Sequence, residues 1–573
     1  FENRALAFAC AYKAAHGAHL TAVTMGPPQA AEILEQALAL GADDALHLCS
    51  PAFAGSDTLA TARALAAALR GRPLDLVLCG RHSTDSETGQ IGPELAELLG
   101  LPHVTGVRRL DVDEAARRIT VERETDDGIA VLALPLPALV TVAEGIGEEA
   151  WPAPAAMAGV ERDRIVTLGP EDIGLPPAQA GAAGSPTWVG EVYAEQNARL
   201  GVVLNEGSPE ELAERLVALL IEKDAFAART EAPPRATRRS PERGGAVWCV
   251  AEHHEGRPRA VSFELLGAAA RIADALGGHT AALLLGGSEE LAAMLARAGA
   301  DEVLHAPDAG DRYDMERYAA TLAEAIRHEG PLVVLVPASA DGRDLAPRVA
   351  ARLGLGLTGD CLDVTVDAEG EIVQLKPAFG GNIVAPVYSR TRPVMATVRP
   401  GVLTAPAPLP SAEPRLRRLE TPAVQSVIRL LELRPDAAAG ADRLTHANVV
   451  IGVGRGLGGP ENLPAVRALA RTLGAEIGAS RVVTDLGWLP RQRQIGLTGR
   501  AIAPSVYIAV GISGSFNHLV GVLKAGTIVA VNRSPRAPIA RAADYTLVGD
   551  WAELVPALDH AFAHARTEGR LRL

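Results

Sequence analysis

Lysine is nearly absent: only Lys13, Lys223, Lys376 and Lys524 occur in 573 residues, and the net charge is −14. A chain this acidic offers no polybasic face for nucleic acid or an anionic lipid surface. Aromatic residues make up just 3%, which excludes the stacking platform that single-stranded nucleic acid requires. The five cysteines, Cys10, Cys49, Cys79, Cys249 and Cys361, are far apart and form no C-x-x-C pair. That spacing argues against a disulfide scaffold, a zinc site or a cysteine-ligated iron–sulfur cluster, and points to a reducing cytoplasm. No apolar run reaches the roughly 18 residues of a membrane span, so no membrane insertion is expected. Proteins and small molecules remain as partners.

What the chain does have is length, a 48% hydrophobic composition and a repeat. Residues 19–110 carry "HLTAVTMG" and "LALGADDALHL", and residues 279–363 carry "HTAALLLG" and "ARAGADEVLHA". Each then gives an alanine-rich helix, an apolar strand ("DLVLCG", "LVVLVP"), a polar loop and a further helix. Strands alternating with helices at this spacing predict two copies of one parallel α/β unit. The second copy opens with a strand, "AVWCVAE", that the first lacks, so the sequence is expected to begin inside its first copy. A stretch rich in Pro and Arg, 227–245, reads as a linker. After "RPGVLTAPAPLP" comes a third unit with strand, glycine loop, helix and three more strands. The expected fold class is therefore α/β, with three doubly wound parallel-sheet domains, the last Rossmann-like. Expected ranges are 1–226, 227–245 (linker), 246–405 and 406–573.

The glycine loop "VVIGVGRGLGG" fits G-x-G-x-x-G, the mark of a dinucleotide turn. In a nicotinamide site the next strand ends in an acid that takes the ribose hydroxyls. Here it ends "GASR", with Ser480 and Arg481 at that place and Glu476 inside the strand. An NAD-dependent dehydrogenase is thus the lesser reading, and a non-redox nucleotide-binding module a third.

The run "GRGLGGPENLPAVRALARTLGAEIGASRVVTDLGWLPRQRQIGLTGRAIAPSVYIAVGISGSFNHLVGV" resembles the FAD-binding domain of the α subunit of electron transfer flavoproteins. Residues 246–405, with "KPAFGGNIVA", resemble that subunit's first domain; residues 1 to about 225, with "GRHSTDSETGQIGPELAELLGLPHVTGV", resemble the β subunit. The resemblance implies a β–α fusion that carries FAD, accepts electrons from a flavin-dependent dehydrogenase and passes them to a quinone oxidoreductase. It would be an electron carrier rather than a substrate-transforming enzyme. The resemblance implies Arg455 near the pyrophosphate, Ser480 on the cofactor and Arg481 over the isoalloxazine. Gln494, Ile495, Gly496, Leu497 and Thr498 would line the ring, with Thr498 close to N5. Ser513, Gly514, Ser515, Phe516, Asn517 and His518 would open a helix on it, His518 directed at the pyrimidine carbonyl. Asn532, Asp550 and Trp551 match the adenosine side. Arg481, Thr498 and His518 are the residues expected to tune the flavin, since charge and hydrogen bonds at its ring set its potential.

Two departures stand out. The family pattern has Gln where Leu497 stands, and the lysine-rich recognition segment of the mitochondrial type reads here "PAPAAMAGVERD". The loop "TDSETGQIGP" is expected to hold a second nucleotide, AMP or FAD, through Met25, Asp85, Ser86, Glu87, Thr88, Gln90, Ile91 and Gly92. A second FAD would allow reaction with NADH and electron bifurcation.

Overall fold

A computed structural model describes residues 2–83, 86–194, 199–227, 244–378, 383–406, 415–435, 441–496 and 499–571. The chain is α/β, built around parallel sheets. The second copy forms a seven-stranded parallel sheet whose centre is Ala246–Ala251, paired on one side with Val333–Pro337 and on the other with His279–Leu285. These strands are almost wholly buried and mainly apolar, as coverage on both faces demands. In the first copy the corresponding strands, Leu76–Gly80 and Thr21–Met25, each end a separate sheet, one of six strands and one of three.

The units exchange elements. Val202–Leu204, inside the range expected for the first domain, adds in parallel to Tyr545–Val548 at the edge of the C-terminal sheet. The helix Pro209–Glu222 follows, opened by a Ser208/Glu211 capping box. Its apolar stripe, Leu212, Leu216, Val217 and Leu220, is buried in the C-terminal core, where Phe226 meets Phe562 edge-on at 5.9 Å. Each such side chain contributes on the order of 1.5–3 kcal/mol. In return Arg429–Pro435, inside the range expected for the last domain, pairs antiparallel with Gly128–Pro135 of the first, and Leu416–Arg418 pairs with Glu302–Ala306 of the second. Open sheet edges recruit strands wherever these lie in sequence, so ranges drawn at 226 and 406 cut through shared sheets. Most of the linker, 228–243, lies outside the described residues.

A buried polar joint locks the first unit onto the second. The hairpin turn between Arg118–Thr125 and Gly128–Pro135 places the Asp126 carboxylate on the backbone N–H of Ala340 at 2.8 Å, at the loop that opens the helix Gly342–Leu353. Arg123, 3% exposed, donates to Asp341 at 2.7 Å and to the Ala340 carbonyl at 2.9 Å. Ser339 of the same loop donates to Glu252. The loop of the second copy is thus filled by the protein's own carboxylates. Burial, together with the charges of Asp341 and Asp126, pushes Glu252 up from 4.5 to about 8. The folded chain therefore keeps a proton that the unfolded chain releases above about 4.5. This contribution is complete below that pH and is lost as pH rises through about 8, with a slope of at most about 1.4 kcal/mol per unit. Glu252→Gln should flatten that loss, raising the urea midpoint at pH above about 8 and leaving it unchanged in acid. Parallel pH profiles for the two proteins would rule Glu252 out as the titrating group.

Candidate functional site: a crevice at the C-terminal strand ends

The C-terminal sheet runs in the order Val202–Leu204, Tyr545–Val548, Thr527–Asn532, Val506–Val510, Val449–Val453, Glu476–Ala479. The chain goes from Val449–Val453 outward to Glu476–Ala479, then returns to Val506–Val510 on the other side. Loops leaving the two inner strands diverge there and open a crevice, the usual ligand position of such sheets.

Two glycine loops form its floor. Gly454 donates to the Val510 carbonyl and Gly456 to that of Gly511, both at 2.9 Å. A Cβ on Gly454 would lie 2.2 Å from the Gly511 oxygen, so the loops cross where only glycine fits. Leu457 is buried beneath the turn, whereas Arg455 stands exposed, its guanidinium in no hydrogen bond or ion pair among the described residues. Glu476, the acid at nicotinamide spacing, is held by Arg493 at 2.5 Å. That engagement disfavours the dehydrogenase reading.

Ser480 and Arg481 follow the Glu476–Ala479 strand; Ser480 precedes the short helix Arg481–Asp485 and its N–H donates to Val453 at 2.9 Å. Arg481 is half-exposed, 3.3 Å from Asp485 and 3.7 Å from Glu144 of the first unit. Arg491 donates to the same Glu144 carboxylate. Burial works to raise Glu144, but the hydrogen bond from Arg491 and the charges of Arg491, Arg481 and Arg81 outweigh it and hold the carboxyl below its ordinary range. The first unit thus places an anion beside the crevice's cations.

Gln494 and Ile495 are each 1% exposed; Gln494 accepts from the Thr484 hydroxyl at 3.0 Å. The side chains of Gln494 and Ile495 therefore face the protein, and the N–H groups of Gln494, Ile495 and Gly496 are spent on the carbonyls of Arg491, Ala479 and Arg500. Gly496, at φ +137°, packs on the Asn517 carbonyl, where a Cβ would sit at 2.4 Å. Leu497 and Thr498 lie outside the described residues. Ser513, Ser515 and Asn517 are exposed, Gly514 is buried and Phe516 half-buried, around the short helix Phe516–Leu519.

His518 is 4% exposed, with Nε2 2.7 Å from the Tyr507 hydroxyl. Burial pushes its pKa down to about 4. Near pH 7 the imidazole is therefore neutral, so of the two residues expected to tune the flavin here Arg481 carries the charge and His518 a hydrogen-bonding group. Tyr507 is the residue that sequence reasoning missed. Its hydroxyl occupies the space of a Cβ at Gly452, 1.9 Å away, and the signal was an aromatic in one central strand two residues before the position level with a glycine in the next.

On the far rim Asn532 donates to the Ile512 carbonyl and accepts from Ser534, at 2.8 and 2.9 Å. Asp550 accepts from Ala552 and pairs with Arg533 at 2.6 Å, capping the helix Trp551–Thr567; the Ala552 bond and then Arg533 hold its carboxyl down. Trp551 packs against the core of this unit.

The second-nucleotide residues gather elsewhere, in the first copy. Met25 ends its strand, half-buried. Ser86 is exposed, with its hydroxyl 3.3 Å from that of Ser83; Glu87 takes φ +50° and Thr88 is half-buried. Gln90 is buried, and Ile91 and Gly92 open the helix Ile91–Leu99. Asp85 lies outside the described residues. Facing the loop is the bulged strand Leu357–Cys361, where Arg343 and Arg399 hold Asp360 at 2.6 and 2.9 Å and Lys376 donates to Gly359 at 2.9 Å. Burial raises Glu87 even with Lys376 and Arg399 nearby.

Comparison with known proteins gives this geometry a family. The electron transfer flavoprotein domain matches residues 1–168 and 247–424, and the electron transfer flavoprotein FAD-binding domain matches 443–523. The chain is 38% identical to the electron transfer flavoprotein subunit alpha of Thermoanaerobacterium thermosaccharolyticum over 54% of its own length and 96% of that protein. It is 40% identical to protein FixB of Azorhizobium caulinodans over 55% of its length and 88% of that relative. These relatives align with the C-terminal half, and the domain found there in one copy recurs at the N-terminus. Among the described residues no helix is long and apolar enough to cross a membrane. The chain belongs to the electron transfer flavoprotein family.

Proposed function

We propose that the chain is a single-chain electron carrier, taking electrons from a flavin-dependent dehydrogenase and passing them to a quinone oxidoreductase. The observation that carries this reading is the crevice at 454–459 and 511–518, rimmed by the cations Arg455 and Arg481, inside the matched FAD-binding domain. These residues fit a flavin nucleotide: a guanidinium suits a pyrophosphate, and the strand Glu476–Ala479 is followed by Ser480 and Arg481 rather than by the acid a nicotinamide ribose takes. FAD supplies the redox chemistry, accepting electrons in pairs and releasing them singly. Arg481 stabilises negative charge on the ring's side of the crevice. Neutral His518, oriented by Tyr507, offers a hydrogen bond without adding charge. A cytoplasmic setting agrees with five free cysteines.

A second nucleotide, AMP or FAD, is placed in the loop before Ile91–Leu99, supported by the cations that face it from the second copy. Nucleotide release by acid tests both parts. One FAD and one AMP per chain is the expected result for a plain carrier; two FAD, with bleaching by NADH, would make it a bifurcating member. A colourless chain that binds NADH would overturn the carrier reading.

A further inference from the structure

The helix Ile91–Leu99 begins on polar side chains that the proposed chemistry has not used. Gln90 and Glu94 are 2% and 1% exposed, one turn apart, and both touch the Thr58 hydroxyl, at 2.8 Å from Gln90 Oε1 and 3.0 Å from Glu94 Oε1. Glu94 makes no ion pair among the described residues, and its Oε2 is buried without a partner. Gln90 Nε2 is likewise buried and unpartnered. It faces the second copy's bulge, where a Cβ on Gly359 would come within 2.7 Å of it.

Proton counting orders this triad. Thr58 has one hydrogen and two acceptors beside it, so an ionised Glu94 would compete with Gln90 for the same donor. A carboxylate would win, because charge-assisted bonds are the stronger ones. The Gln90 amide would then turn its Nε2 toward Thr58 and its oxygen toward Gly359 and the Thr88 carbonyl. A protonated Glu94 removes the conflict. It donates to Thr58, Thr58 donates to Gln90 Oε1, and both Gln90 N–H groups stay unspent on the side of Gly359. Burial, with Asp57 adding to it, raises Glu94 well above 4.5, against the Thr58 bond and the charge of Arg63.

We propose that Glu94 is a positioning residue which, as a neutral acid acting through Thr58, aims the Gln90 amide as a donor to the nucleotide held by the loop at 86–92. This rests on the second-nucleotide reading above. Gln90 would take an acceptor oxygen of the phosphate or ribose, chemistry common to AMP and FAD, while deprotonating Glu94 turns the donor away. Binding at this site is therefore expected to weaken in alkali through a group that never touches the ligand.

The test uses the full chain with AMP and, separately, FAD as probes in calorimetric titrations from about pH 6 to about pH 9.5, within the fold-stability range of each variant. Glu94→Gln keeps a donor toward Thr58 and cannot ionise. It should bind like the parent in acid and escape the parent's alkaline loss of affinity, expected to be about tenfold for each pH unit beyond the carboxyl's own pKa. Thr58→Val cuts the relay and should bind weakly throughout. Infrared difference spectra of parent against Glu94→Gln give a readout independent of ligand: a protonated-acid carbonyl band at neutral pH that the variant lacks. Identical pH profiles for parent and Glu94→Gln, parent-like binding by Thr58→Val, or absence of that band would each overturn the proposal. A parent that binds neither nucleotide at any pH would overturn the second-nucleotide reading and Gln90's role together, and the band would still show whether Glu94 is neutral.

Discussion

Gly454→Ala is expected to give a folded chain that purifies without FAD, and Gly459→Ala, five residues on, a yellow one. The new methyl at 454 would stand 2.2 Å from the Gly511 oxygen and 2.6 Å from the Ile512 Cα, both rigid backbone. Relief requires the loops to part, which breaks the bonds from Gly454 to Val510 and from Gly456 to Gly511. Overpacking costs about 1–3 kcal/mol and each of the two lost bonds about 0.5–1.5 kcal/mol, so FAD affinity should fall by at least about thirtyfold. At Gly459 the three atoms nearest the methyl all belong to the Glu461 carboxylate, the end of a flexible side chain that can swing away, and the backbone is extended. The G-x-G-x-x-G pattern treats the two glycines as equals; the structure does not. Flavin absorbance per chain, with circular dichroism as the folding control, decides it. Equal flavin content in the two variants would mean that the crossing of these loops does not shape the cofactor site.

The strand runs, the repeat and the positions of the loops could be read from sequence because they follow from local pattern: β-branched runs, glycine breaks and alanine-rich helices. The exchange of edges could not. Val202–Leu204 and Arg429–Pro435 are short and mostly exposed, and nothing in their periodicity says which sheet they complete. That choice lies in tertiary geometry. A fused chain makes each exchange intramolecular, which raises the effective concentration of the joining strand. At the site, Gly454, Ser480 and Arg481 were visible because a strand end fixes where a loop points. His518 was visible as a position but not as a charge state, since its neutrality comes from burial against Tyr507, eleven residues earlier. Glu144 could not be anticipated at all, because it reaches Arg481 and Arg491 from another unit.

Arg481→Ala should retain FAD, because the crossed glycine loops and the rim around Asn532 and Asp550 remain, and should lower the flavin's reduction potential. The guanidinium stands just past the strand Glu476–Ala479, and its charge favours the electron-rich reduced ring over the oxidised one. Arg481 is half-exposed, so solvent screens part of its field. An effect of about 1.4 kcal/mol, or roughly 30–60 mV for a two- or one-electron couple, is the expected size. Glu144→Gln should move the potential the other way, because Arg481 and Arg491 both lose their counter-charge. If Glu144 acts through Arg481, the two changes will not add. In the double variant the Glu144 effect shrinks to what Arg491 alone transmits, and the difference measures the coupling. Reductive titration against dyes of known potential reads all four proteins. A potential unchanged by Arg481→Ala, with full FAD content, would place this arginine away from the ring and leave the crevice without its tuning charge.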